Sequence, residues 1–117
     1  MRIGARSLER GQAVSCDAVT RIADGMACRT PVPEALAAIR EGIDHVVEVT
    51  DDEIEEAMRA LFADTHTVAE GAGAAGLAAL LQERDRMRGL RAGIVLTGSN
   101  VDPQVYGRIL LSVGPGP

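Results

Sequence analysis

The stretch His45-Val46-Val47-Glu48-Val49-Thr50-Asp51-Asp52-Glu53-Ile54-Glu55-Glu56-Ala57-Met58-Arg59-Ala60-Leu61-Phe62 carries two periodicities that meet at a single residue. His45 to Val49 are mostly β-branched and predict a short strand, because branched side chains fit a pleated surface better than a helical one. Thr50 and Glu53 then form a T-x-x-E capping box, with Val49 and Ile54 placed as its hydrophobic staple. Behind the box, Ile54, Ala57, Met58, Leu61 and Phe62 follow the i, i+3, i+4, i+7, i+8 pattern of an amphipathic helix. The carboxylates at positions 51–53, 55 and 56 suggest a metal site at first sight. Their position in a first helical turn is the one that the helix dipole favours, and that reading is preferred.

The same alternation extends outward in both directions. Upstream, a helix is expected from about Pro33 to Glu41, with Pro33 at its start, Leu36, Ala37 and Ile39 to Arg40 giving one apolar side, and Gly42 as C-terminal cap. Downstream, a Gly/Ala-rich helix is expected from roughly Ala72 to Met87, with Leu77, Leu80 and Leu81 facing the core. Arg84, Arg86 and Arg88 fall near its C-terminal end, where the dipole favours cations. Gly93-Ile94-Val95-Leu96 predicts a second strand, buried on both faces by its composition. Thr97-Gly98-Ser99-Asn100 is a tight turn, and Asp102-Pro103 begins a last helix to about Leu111 as cap and first residue. Strands alternating with helices imply an α/β architecture, parallel strands joined by helical crossovers. Two strands leave open edges, so the pattern describes part of a sheet. Residues 1–16 read as a lead-in with a short helix through Arg6 to Arg10, residues 17–111 as the partial α/β domain, and residues 112–117 as a flexible tail.

The 117 residues suffice for one domain, and the 46% hydrophobic content for a core. Twelve basic against seventeen acidic residues give a net charge of −5. That balance argues against nucleic-acid and anionic-membrane partners, and the near absence of aromatics removes base-stacking platforms. No apolar run approaches the length of about 18 residues that a spanning helix needs. Without a continuous apolar segment in residues 1–15, a signal peptide is not expected either, so the expected location is the cytoplasm. Cys16 and Cys28, far from each other and from His45 and His66, read as free thiols rather than metal ligands.

Three local features are candidates for chemistry. Gly71-Ala72-Gly73-Ala74-Ala75-Gly76 is a literal G-x-G-x-x-G, but a dinucleotide fingerprint needs a strand before it and an acid about 20 residues on. Here a polar stretch precedes it and positions 91–97 hold no acid. Close packing of a small-residue helix is the preferred reading. Thr97 to Asn100 lies at the carboxyl end of a predicted parallel strand, where open α/β sheets bind their ligands. Gly98 lets backbone approach a ligand, Thr97 and Ser99 offer hydroxyls, and Asn100 offers an amide. An ordinary strand-to-helix turn explains the same residues. Glu70, an acid in an apolar run, is either a ligand contact or a helix-start carboxylate. Asp24-Gly25 signals a turn without functional content of its own.

Taken together, four ordered segments resemble the PLP-dependent threonine and serine dehydratases, a family that includes serine racemase. Thr20-Arg21-Ile22-Ala23-Asp24-Gly25-Met26-Ala27 is similar to the family's T-x-x-A-D-G-I-A. Val47 to Ile54 resembles its V-x-V-x-x-[DE]-E-I junction, Val68 to Ala74 its V-x-E-G-A-G-A, and Leu96 to Asp102 its L-S-G-G-N-[IV]-D. The match continues upstream through Arg6-Ser7-Leu8 to Val14, so the resemblance covers roughly residues 6–111.

The resemblance implies that the chain is the C-terminal part of the large domain of a fold-type II enzyme using pyridoxal 5'-phosphate. By matching positions, Thr97 takes the place of the serine whose hydroxyl meets the pyridine nitrogen. Gly25 and Glu70 match residues that line the ring, and Gly98 and Asn100 match the same turn. Ser99 departs from the family's second glycine. The family's S-F-K-x-R-G segment has no counterpart, since all twelve basic residues are Arg and there is no Lys. Its glycine-rich phosphate cup is likewise absent, because none of the 13 glycines is adjacent to another. Without a side-chain amine to condense with an aldehyde, the chain is not expected to catalyse alone. Two expectations follow. One is an incomplete dehydratase that eliminates water from a small hydroxy-amino acid, releasing 2-oxo acid and ammonia, with a missing N-terminal half or a homo-oligomer completing it. The other is a non-catalytic α/β module that binds a ligand or partner.

Overall fold

A computed structural model describes residues 19–27 and 32–112. Contacts divide the chain into two compact units, Met1–Glu48 and Val49–Pro117. The expected lead-in over 1–16, both cysteines and residues 113–117 of the expected tail lie outside the described residues.

In the first unit, the Thr20 hydroxyl accepts the backbone N–H groups of Ile22 and Ala23 at 3.3 and 3.0 Å. This local closure precedes a 3₁₀ turn, Asp24–Met26, in which Met26 N–H donates to Ala23 O and Ala27 N–H to Asp24 O. Helix α1, Pro33–Gly42, starts on its proline as expected. It does not end on a left-handed glycine: Gly42 is its last helical residue, and Ile43 leaves in extended conformation. Only Leu36 of its expected apolar side is buried, while Ile39 is 45% exposed.

The second unit is built from α2 (Asp51–Thr65), α3 (Gly71–Gln82) and α4 (Pro103–Leu111). Helix α2 begins with the complete capping box: Glu53 N–H donates to Thr50 Oγ1, and Thr50 N–H donates to Glu53 Oε2 at 2.7 Å. The acidic cluster at 51–53 thus serves the helix start. At the other end His66 adopts the left-handed conformation, φ 53°, and its N–H reaches the carbonyls of Leu61 and Phe62. Ile54, Ala57, Met58 and Leu61 are buried as their spacing requires, but Phe62 is 40% exposed. The Phe62 ring packs edge-on against Tyr106 of α4 at 5.9 Å, which places it at the rim of the core. Arg59 ties α2 to the end of α4, donating to Ser112 Oγ at 2.9 Å and to Ile109 O at 3.4 Å. Ser112, expected in a free tail, is held there; its own hydroxyl donates to Ile109 O.

Helix α3 corrects the sequence reading in two respects. Its buried face is Gly71, Gly73, Ala74, Ala75 and Ala78, while Leu77, Leu80 and Leu81 are only half-buried. Small side chains allow close packing, so the glycines and alanines, rather than the leucines, form the buried face. The helix also stops at Gln82, short of Met87. Residues 83–88 are almost all charged and have no apolar face to bury, so they form turns with the pairs Arg86–Glu83 and Arg88–Asp85.

The two expected strands are the larger correction. Among the described residues none is in a paired strand: 43–50 and 91–102 run without ladder partners. A strand exists only through hydrogen bonds to a neighbour, and β-branched composition supplies none by itself. Val95, expected to be buried on both faces, is 78% exposed, and Ile94 is 39% exposed.

Candidate functional site

The turn at 97–100 is held from both sides. On one side, Glu70 is the N-cap of α3 in extended conformation, and its N–H donates to Gly98 O at 3.0 Å. One helical turn on, Gly73 faces the backbone of the same residue: a Cβ there would lie 3.2 Å from Gly98 N and collide with Gly98 O. Another turn on, Gly76 packs against Ile94, with 3.4 Å between a built Cβ and Ile94 Cβ. Positions 70, 73 and 76 share one face of α3, and along that face the helix meets the segment leading into the turn. The G-x-G-x-x-G therefore serves close packing, as its surroundings in the sequence indicated.

On the other side, Asp102 Oδ1 accepts the N–H groups of Gln104 and Val105 at 2.8 and 3.1 Å, capping α4. Val101 N–H donates to Ser99 O at 3.1 Å and tightens the approach to that cap. Between the two anchors Thr97, Ser99 and Asn100 are exposed and Gly98 is half-buried. The Glu70 carboxylate lies over Gly98: a Cβ at Gly98 would be 2.8 Å from Glu70 Cδ and 3.3 Å from Oε2. A side chain at Gly98 would have to displace that carboxylate.

Thus Glu70, Gly98, Thr97 and Asn100 share one corner of the second unit. Gly25 lies in the 3₁₀ turn of the first unit and is exposed. The contribution that sequence reasoning missed is that of Gly73 to the seating of the turn. It is separated from Gly98 by a helix and a long connection, so no local pattern links them.

Comparison with known proteins bears on what this corner does. A family model described as pyridoxal-phosphate dependent enzyme matches residues 3–98. The chain belongs to that family. It is 36% identical over 104 residues to the L-threonine ammonia-lyase of Thermotoga maritima, covering 89% of this chain and 26% of the relative. It is also 36% identical over 107 residues to the L-threo-3-hydroxyaspartate ammonia-lyase of a Pseudomonas species, covering 92% of this chain and 34% of the relative. Among solved structures, the serine racemase of Dictyostelium discoideum matches with a TM-score of 0.74 and 34% identity, over 86% of this chain and 32% of that one. The chain thus spans about a quarter to a third of the length of these relatives.

Pyridoxal phosphate is the cofactor of this family. The turn presents a neutral hydroxyl at Thr97 and an amide at Asn100, both accessible, on backbone fixed at Gly98 and Asp102. A hydroxyl is able to exchange a hydrogen bond with a pyridine nitrogen. The amine that anchors the aldehyde has no counterpart in a chain without lysine.

Proposed function

We propose that the chain forms part of a pyridoxal-phosphate ammonia-lyase that eliminates water from a small hydroxy-amino acid, giving a 2-oxo acid and ammonia. The observation that carries this reading is the doubly anchored turn, in which Gly98, next to Thr97, lies against the Glu70 carboxylate at the N-terminus of α3. The similarity to ammonia-lyases acting on L-threonine and L-threo-3-hydroxyaspartate supports it. Bound pyridoxal phosphate supplies an electron-withdrawing ring that stabilises negative charge at the substrate's α-carbon. Thr97 holds the ring nitrogen through a neutral hydrogen bond, and a hydroxyl cannot keep that nitrogen protonated as a carboxylate would. Glu70 would line the ring, Gly98 would admit it close to backbone, and Asn100 would steady the turn. Lysine and phosphate cradle come from polypeptide outside these 117 residues.

The extended segments at 43–50 and 91–96 then belong to a parallel sheet that the other polypeptide, or a second copy, completes. In this reading residues 17–111 are one partial large domain of the fold-type II architecture, in a cytoplasmic enzyme. The structure is compatible with that location insofar as no described helix is long and apolar enough to cross a membrane. The test is co-expression with a polypeptide supplying S-F-K-x-R-G and a glycine cup, followed by an assay of 2-oxo acid release from threonine and serine. Release that depends on both partners supports the reading. Cofactor binding without release from any hydroxy-amino acid would favour the non-catalytic module instead.

A further inference from the structure

We infer that Gly73 is a positioning residue for Thr97, acting by setting how closely the Gly98 backbone seats on the first turn of α3. The inference rests on the reading of the 97–100 turn as the ring-nitrogen end of the cofactor site. Three contacts converge on Gly98. Its carbonyl accepts from Glu70 N–H at 3.0 Å, its Cα lies under the Glu70 carboxylate, and its peptide faces Gly73 where a side chain would stand. Two of these neighbours adapt to an intruding group: the carboxylate ends a flexible side chain, and a hydrogen bond lengthens. The Gly73 contact does not adapt, because backbone meets backbone there and the helix holds one side of it. Thr97 is bonded directly to Gly98 N, itself 3.2 Å from where a Gly73 Cβ would stand, so a displacement of the Gly98 backbone is passed to Thr97.

Gly73 has a helical, negative φ, so the backbone itself tolerates any residue, and alanine is the better helix former. A glycine at this position therefore answers to Gly98 and not to α3. Gly76 is the internal comparison, because a methyl group there meets Ile94 at ordinary contact distance, 3.4 to 3.7 Å.

The experiment has two arms. In the first, amide hydrogen exchange is followed in the 117-residue chain carrying Gly73→Ala or Gly76→Ala. Gly73→Ala should speed exchange of the Glu70 amide by at least about tenfold, while the amides of Ile54 and Tyr106, bonded to Thr50 and Asp102, keep their protection. Gly76→Ala should change none of the three. An unchanged Glu70 amide would overturn the inference. So would loss of protection at all three amides, since Gly73 would then hold the whole unit and not the turn. In the second arm, the visible absorption band of pyridoxal phosphate in the co-expressed assembly should shift with Gly73→Ala and not with Gly76→Ala. In a Thr97→Ala background the Gly73→Ala shift should vanish, because its effect runs through the missing hydroxyl. A shift that persists there would overturn the inference. If Thr97→Ala alone leaves the band unmoved while the Glu70 amide responds to Gly73→Ala, the ring contact proposed above fails and the seating of the turn by Gly73 stands.

Discussion

Replacing Glu53 with alanine tests how α2 begins and how it is joined to α3. The Glu53 carboxylate accepts three hydrogen bonds: Thr50 N–H at 2.7 Å, Thr50 Oγ1–H at 2.9 Å and, from the end of α3, Gln82 Nε2–H at 2.9 Å. Bonds to a charged acceptor are worth about 1.5–3 kcal/mol each when shielded, but these are exposed, and a capping interaction typically contributes about 1 kcal/mol. Alanine's better helix propensity returns a few tenths of a kcal/mol. A net loss of about 1–2 kcal/mol is therefore expected for Glu53→Ala at pH 7. The dependence on pH follows from the same geometry. Gln82, foremost, and the Thr50 backbone N–H hold the Glu53 carboxyl below its ordinary 4.5, against a smaller opposing effect of burial. A lowered folded-state pKa stabilises the fold fully above the unfolded value, and that stability is lost as pH falls through the folded value. Urea denaturation at pH 7 and pH 3 should therefore show a difference between wild type and Glu53→Ala that shrinks in acid. A difference equal at both pH values, or absent at pH 7, would refute the reasoning.

Three further outcomes are expected. Met58→Ala removes a fully buried side chain from α2 and should cost about 2–5 kcal/mol in the same denaturation assay. Incubation of the chain with pyridoxal phosphate, borohydride reduction and intact mass measurement should give no stoichiometric adduct away from the amino terminus, because there is no lysine. Sedimentation of the chain should show a dimer or larger species, or marginal stability, since Val95 and Leu90 are 78% and 65% exposed and the 91–96 segment is unpaired among the described residues. A monomer with a high, sharp thermal transition would argue against the last of these.

Helix starts were the most legible part of the chain, because each is written in adjacent residues. Thr50 with Glu53, Pro33, and Asp102 with Pro103 all stand where their chemistry places them. Helix ends were less legible, since α3 ends where an apolar face runs out and α2 ends on a left-handed histidine. The two β-branched runs were read as strands by composition, and pairing depends on a neighbour that neither run specifies. In α3 the leucines drew attention as the core face, whereas the small residues Gly71, Gly73, Ala74, Ala75 and Ala78 are the buried ones. At the candidate site the turn and Glu70 were visible as separate signals. That they touch through Gly98, and that Gly73 sets the distance, depends on folding across a long separation in sequence.

The central claim is that the Thr97 hydroxyl meets the pyridine nitrogen of the cofactor. Its most direct test is the ¹⁵N chemical shift of ring-labelled pyridoxal phosphate bound in the co-expressed assembly, in wild type, Thr97→Ser and Thr97→Asp. A neutral hydroxyl leaves the nitrogen unprotonated, so wild type and Thr97→Ser should give the shift of a neutral pyridine. Thr97→Asp should move it to that of a protonated one. The same shift in all three proteins would contradict the account, because the turn would then not touch the ring.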